Sequence, residues 1–109
     1  MDLESVEKFC QEKGLEMASV LLGKYDSADF EISSRGIERE IYEVATSYSR
    51  ILFFEAKQPL RKSVSGAVKA HLSGRFDGKQ VQKMKDADLV AHWIKSEVIR
   101  ELEDRSIFL

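Results

Sequence analysis

Lysine and arginine are concentrated in one central segment of this chain, where they could contact phosphate groups. The 109-residue sequence has a net charge of −2, yet residues 56–85 carry eight Lys/Arg against one Asp, a net charge of +7. Residues 1–55 have a net charge of −6 and residues 86–109 of −3. A strongly basic stretch in an otherwise acidic chain is typical of a surface that contacts a polyanion, because lysine and arginine bind phosphates.

Residues 57–85 are therefore predicted to form a nucleic-acid contact surface. Ser65 and Ser73 can donate hydrogen bonds, the glycines of loop 74–78 let the backbone approach a ligand, and an exposed Phe76 can stack on a base. The alternative is that the cations pair with the acidic N-terminal half, or across a dimer, as charged helix faces usually do. The pattern does not distinguish DNA from RNA. The predicted contact residues are Arg61, Lys62, Lys69, Arg75, Lys79 and Lys83.

A second group of residues suggests metal-dependent hydrolysis. Residues 50–57 read Arg-Ile-Leu-Phe-Phe-Glu-Ala-Lys, an apolar run followed by Glu55-x-Lys57. This run resembles the metal-binding strand of restriction-endonuclease-like nucleases, over about half of the chain. The resemblance implies an α+β fold in which Asp29 and Glu55 hold a divalent cation and Lys57 helps to activate the attacking water. The helical periodicity of residues 37–52 favours a non-enzymatic protein without metal or cofactor, and the nuclease is the alternative.

The cysteine and the histidines favour structural roles. Cys10 is the only cysteine and lies among apolar residues, so we predict a buried thiol in a reducing compartment. His71 lies at the edge of an apolar helix face and His92 lies next to Trp93, and in both places a structural histidine is commoner than a general base. No Cys/His group has zinc spacing, and the six glycines are scattered rather than gathered in a phosphate-binding loop.

Helices must position these residues, because apolar side chains recur at helical spacing along most of the chain. The pattern predicts four helices, over residues 3–22, 37–57, 59–74 and 79–105. Gly14 weakens the first, which could instead end at Lys13 and continue as extended chain. The fourth helix can be interrupted, and Asp86 is predicted to cap the part of the helix that follows the break. The second helix has the clearest apolar stripe, formed by Ile37, Ile41, Val44, Ala45, Tyr48, Ile51 and Leu52.

The fold prediction is an all-α, four-helix antiparallel bundle that forms a single domain over residues 1–109. The alternative is an α+β, restriction-endonuclease-like fold with strands near residues 15–32 and 50–57. Leu89 and Trp93 project away from the main apolar face of the fourth helix, which predicts a second contact surface. A homodimeric protein-interaction module is therefore a further functional alternative, and a homo-oligomer is expected.

The sequence contains no membrane-spanning or secretory signal. No stretch of about 18 residues is continuously apolar, so a membrane partner is not expected. The N-terminus, Met1-Asp2-Leu3-Glu4, is acidic and amphipathic, unlike a signal peptide. These features predict a cytoplasmic protein.

Overall fold

The structure, a computed structural model, describes residues 2–25 and 34–105, with the side chains of residues 24–25, 34–37 and 55–56 left undescribed. The described residues form no strand, so the all-α prediction is confirmed. Five helices rather than four are present over this part of the chain, and the four-helix bundle is not confirmed. The helices are α1 (Leu3–Tyr25), α2 (Ser34–Ala56), α3 (Lys62–Leu72), α4 (Gly78–Lys83) and α5 (Asp86–Asp104).

Helix α1 is continuous through Gly14, as the preferred prediction had it. Asp2 caps its start, because the Ser5 backbone N–H donates to Asp2 Oδ1 at 2.8 Å. Gly14 lies where α1 meets α5, and a Cβ built on it would lie only 2.6 Å from the Cβ of Glu97. The glycine therefore permits a close approach of the two helices, which offsets its low helix propensity.

Helix α2 ends at Ala56, close to the predicted end at Lys57. The Lys57 backbone has φ = 50°, in the left-handed region, and its N–H donates to the Phe53 carbonyl at 3.0 Å. Left-handed residues commonly close helix C-termini in this way. The chain then reaches α3 through Pro59, which has no N–H to donate to a helix. The third helix begins at Lys62 and ends at Leu72, so the predicted start at Pro59 is wrong.

The apolar stripe predicted for α2 is correct in part. Ile41 and Ala45 are buried as predicted, whereas Ile51 is 48% exposed. Ser49, four residues after Ala45 on the same helix face, is fully buried although it was not assigned to the stripe. The Ser49 hydroxyl donates to the Thr46 carbonyl at 2.8 Å, so the buried hydroxyl is satisfied within its own helix. The side chain of Ile37 lies outside the described residues. The other predicted members, Val44, Tyr48 and Leu52, are half-buried against the core.

The predicted fourth helix is divided into α4 and α5. Met84 and Lys85 have extended backbones, with ψ of 145° and 164°. The break allows α4 to pack on α3 with Val81 fully buried. Asp86 does not cap α5, contrary to the prediction, because its carboxylate accepts a hydrogen bond from the Leu60 backbone N–H instead, at 2.8 Å.

Helix α5 is the centre of the molecule and packs against α1, α2 and α3. Its side chains are buried on nearly all sides, which is typical of a helix surrounded by others. Leu89 and Trp93, the predicted interface residues, are 0% and 4% exposed and lie inside the chain's own core. Their place off the main apolar face is explained by contacts within one chain, and oligomerisation stays a prediction. No described helix is long and apolar enough to cross a bilayer.

Candidate functional site

Lys62 and Lys69 lie on the same face of α3. They are seven residues apart, or two helical turns, and the apolar side chains of the helix are buried on the other side. Lys69 Nζ donates to the Gln82 carbonyl at 3.1 Å, and this bond holds the lysine beside the end of α4. The buried residues beneath them are Val64, Val68 and Leu72.

Helix α4 exposes two more of the predicted lysines. Lys79 and Lys83 are four residues apart on one face, and Val81 is buried on the opposite face. Like charges at this spacing destabilise a helix by about 0.2–0.5 kcal/mol. Asp77, the single acidic residue of the basic segment, caps α4 by accepting from the Lys79 backbone N–H at 2.9 Å. Its carboxylate is thus committed to the backbone, and it forms no ion pair with either lysine side chain.

The two predicted arginines point toward other parts of the molecule. Arg75 Nη1 donates to the Ser96 carbonyl of α5 at 3.4 Å, so this side chain helps to attach the α3–α4 connection to the core. Arg61 lies beside Asp2 at the start of α1. A hydrogen bond from the Ser5 backbone lowers the pKa of Asp2, and the Arg61 charge acts more weakly in the same direction. The bond from Lys69 to Gln82 brings this lysine beside α4, and both arginines stay exposed, so all six predicted contact residues remain a prediction.

The cations of the basic segment are not paired with acidic side chains in the described part of the chain. The ion pairs there join neighbours on α1 and on α5, within single helices. Among described residues, no ion pair joins the acidic N-terminal half to the basic segment, and pairing across a dimer, the other form of that alternative, stays a prediction. The three pairs are Lys13–Glu16, Arg100–Glu97 and Arg105–Glu101.

Phe76 is not the exposed stacking ring that the sequence suggested. It is half-buried against the core, with its edge toward the His92 ring at 5.0 Å and Lys95 Nζ 5.6 Å from its centroid. His92 also packs against Tyr42 at 5.5 Å. Its Nδ1 is buried without a hydrogen-bond partner in the structure. Burial, followed by the charge of Lys95, lowers the pKa of His92.

His71 and Cys10 have surroundings that fit structural roles. The His71 ring stacks on the Trp93 ring, with centroids 4.7 Å apart. Cys10 is fully buried, as predicted, with Sγ 3.9 Å from the Val90 carbonyl oxygen. Burial raises the pKa of the Cys10 thiol, and the charge of Glu97 acts in the same direction. A thiol held in its protonated form is a poor nucleophile.

An open groove, which was not predicted, lies where the two ends of the basic segment, residues 56–85, come together; we refer to this place as the base of the basic segment. The bond from Leu60 N–H to Asp86 joins the two ends of the segment, so Lys57 and Lys85 approach the same surface. The groove has a volume of about 700 Å³. Arg50 belongs to the acidic N-terminal half of the sequence. The net charges of the three segments therefore did not indicate that Arg50 lies beside Lys57 and Lys85. The cations on the groove are Arg50, Lys57 and Lys85, and its apolar walls are Phe53, Pro59 and Ala87.

The segment proposed as the metal-binding strand of a nuclease is not a strand. Residues 50–56 are helical, where the resemblance needs a strand. Asp29 and the side chain of Glu55 lie outside the described residues, and Lys57 is exposed at the groove. Among the side chains that the structure does describe, no group of three or more His, Cys, Asp or Glu is placed to hold a metal ion.

Comparison of the chain with protein-family models, curated proteins and solved structures gives no match. Function must therefore be inferred from the residues themselves. Two features stand out: four lysines on α3 and α4 that form no ion pair with a described carboxylate, and a groove with cationic and apolar walls. Both could bind an anionic ligand, and neither combines a nucleophile with a base in the described side chains.

Proposed function

We propose that this protein binds nucleic acid, without catalysing a reaction on it, by contacting phosphates with the lysines of α3 and α4. The observation that carries the proposal is the unpaired state of Lys62, Lys69, Lys79 and Lys83 with respect to described carboxylates. Four ammonium groups on two packed helices are the side chains that phosphate binding uses.

The arrangement of these lysines costs the free protein some stability. Lys79 and Lys83 repel each other on a six-residue helix, and Asp77, the acidic residue that caps this helix, accepts a backbone hydrogen bond. A phosphate backbone next to these ammonium groups would remove the repulsion. The release of the counterions condensed on the nucleic acid would then provide much of the binding free energy.

Fluorescence anisotropy with labelled single-stranded and duplex DNA and RNA, titrated over a range of salt, tests the proposal. Four phosphate contacts predict that log K falls with log[salt] with a slope of about −2.8 for single strands and −3.6 for duplexes. Lys62→Gln and Lys79→Gln should each reduce the slope by about 0.7–0.9 and weaken binding to every sequence alike.

Lys8→Gln is the matched control, because it removes one exposed positive charge on α1, outside the basic segment. It should leave the affinity and the slope near those of the parent protein. Absence of binding to all four probes at low salt would exclude the proposal. An effect of Lys8→Gln equal to that of Lys62→Gln would also count against it, because binding would then follow overall charge rather than this surface.

A homodimeric assembly protein is the second candidate, favoured by exposed apolar side chains on α2. Phe54 is 80% exposed and Ile51 is 48% exposed, and the two lie three residues apart on one face. Sedimentation velocity should then show a dimer that Phe54→Ser converts to monomer. A strict monomer at the highest soluble concentration would remove this candidate.

A further inference from the structure

The groove at the base of the basic segment has both cationic and apolar walls. Each kind of wall indicates a different part of a ligand. The groove is wide open to solvent and has a volume of about 700 Å³. The walls come from the end of α2, the connection between α2 and α3, and the start of α5. The hydrogen bond from Leu60 to Asp86 holds the last two together.

The cations on the groove come from three separate stretches of chain. Arg50 is on α2, Lys57 follows it, and Lys85 precedes α5. All three side chains are exposed, and none forms an ion pair with a described carboxylate. Among the described side chains of the wall, the one acidic group is Asp86, and it accepts a hydrogen bond from the Leu60 backbone N–H. Three unpaired cations on one groove favour a ligand with a phosphate group.

The apolar walls indicate that the ligand has more than a phosphate. Phe53 is half-buried and packs against the core, so its ring is held in place at the groove. Pro59 and Ala87 extend the apolar surface. A phosphate alone gains nothing from such walls, whereas a planar base stacks on an aromatic ring regardless of its identity. A nucleoside phosphate has both parts.

A base in a duplex is stacked and paired, so it cannot enter a groove of this kind without leaving the helix. The requirement for a free base therefore distinguishes the two forms of nucleic acid. We propose that the groove binds one unpaired nucleotide of a single-stranded nucleic acid, with its phosphate at Arg50, Lys57 and Lys85 and its base against Phe53. This inference rests on the proposed function and names the class of nucleic acid that is bound, a single strand.

The test compares a single-stranded oligonucleotide with a duplex of the same length by anisotropy, using variants of the groove and of the lysine surface. Phe53→Leu keeps an apolar side chain for packing but removes the flat ring. It should weaken single-strand binding about tenfold and leave duplex binding unchanged. Arg50→Gln should act in the same direction, and because Arg50 is exposed it remains informative if Phe53→Leu fails to fold.

Two further variants separate charge from conformation. Lys57→Asn removes the charge but keeps a residue that tolerates the left-handed backbone at this position, and it should weaken single-strand binding. Asp86→Asn removes the opposing charge while its carbonyl oxygen can still accept from Leu60, so it should tighten binding. Lys8→Gln is again the control that removes a distant charge.

Titration with a nucleoside monophosphate and with inorganic phosphate, followed by amide NMR shifts, tests the groove without the lysine surface. The nucleotide should shift groove amides that phosphate alone does not. If Lys62→Gln weakens oligonucleotide binding while the groove variants change nothing, the inference is wrong and the proposed function stands. If no oligonucleotide binds at low salt, both are wrong. Equal losses of single-strand and duplex affinity in Phe53→Leu would also overturn the inference.

Discussion

Replacing Gly14 with alanine is the sharpest test of the helix packing. On helix propensity alone, alanine should stabilise α1 by about 1 kcal/mol. The contact with α5 opposes this gain, because the new Cβ would lie 2.6 Å from the Glu97 Cβ. Apolar carbon atoms prefer a separation of about 3.5–4.0 Å, so the two helices would have to separate by about 1 Å.

The free-energy cost of moving α1 and α5 apart decides whether Gly14→Ala raises or lowers the free energy of unfolding. Overpacking in a well-packed site costs about 1–3 kcal/mol, which leaves a net loss of about 1 kcal/mol after the propensity gain. Glu97 cannot move freely, because it accepts from Trp93 Nε1 at 3.1 Å and pairs with Arg100 at 2.7 Å. We therefore expect Gly14→Ala to lower the free energy of unfolding.

Urea denaturation followed by circular dichroism measures this change from the midpoint at constant m. Gly66→Ala is the matched control, because Gly66 is an exposed residue within α3 with no atom within 4 Å of an added Cβ. It should stabilise the protein by about 0.5–1 kcal/mol. A Gly14→Ala variant stabilised to the same extent as Gly66→Ala would refute the close contact of α1 and α5.

Two predictions concern titratable side chains in the core. The pKa of His92 is lowered, first by burial and then by Lys95, with Asp88 opposing. The unfolded chain therefore binds the proton more readily, and stability should fall as the pH drops below about 6.5. Urea unfolding at a series of pH values should show a steeper loss for the parent than for His92→Asn; identical profiles would contradict this. Burial and Glu97 raise the pKa of Cys10, so a disulfide reagent should leave this thiol unmodified in the native protein and label it in urea. Rapid native labelling would show that the thiol is accessible.

The helical fold was predictable because apolar spacing repeats over many turns. Cys10 was predicted to be buried, Ile41 and Ala45 were assigned to the apolar stripe of α2, and all three are fully buried. The break between α4 and α5 was harder to locate, because Met84 and Lys85 have side chains that suit a helix. Their extended backbone follows from the packing of α4 on α3, which is a tertiary effect.

The candidate site was predictable only where charge and helical spacing coincide. Lys62 and Lys69 follow from an amphipathic pattern on α3. Phe76 was expected to be exposed but is half-buried, and Leu89 and Trp93 are buried in the chain's own core. Apolar residues off the main stripe can face either solvent or another part of the same chain. A sequence pattern describes one helix at a time and cannot show how many neighbours that helix has.

The cations on the groove could not be predicted from the net charges of the sequence segments. Arg50 lies in a half of the chain with net charge −6, and Lys57 and Lys85 are 28 positions apart, yet all three line one surface. Electrostatic attraction at physiological ionic strength is screened beyond about 8 Å, so a phosphate responds to the charges next to it. In the proposed function, the relevant quantity is therefore the local density of unpaired cations. An acidic chain can bind a polyanion when its carboxylates pair with neighbouring cations or accept hydrogen bonds from the backbone, as Glu97 does in the first way and Asp77 and Asp86 in the second.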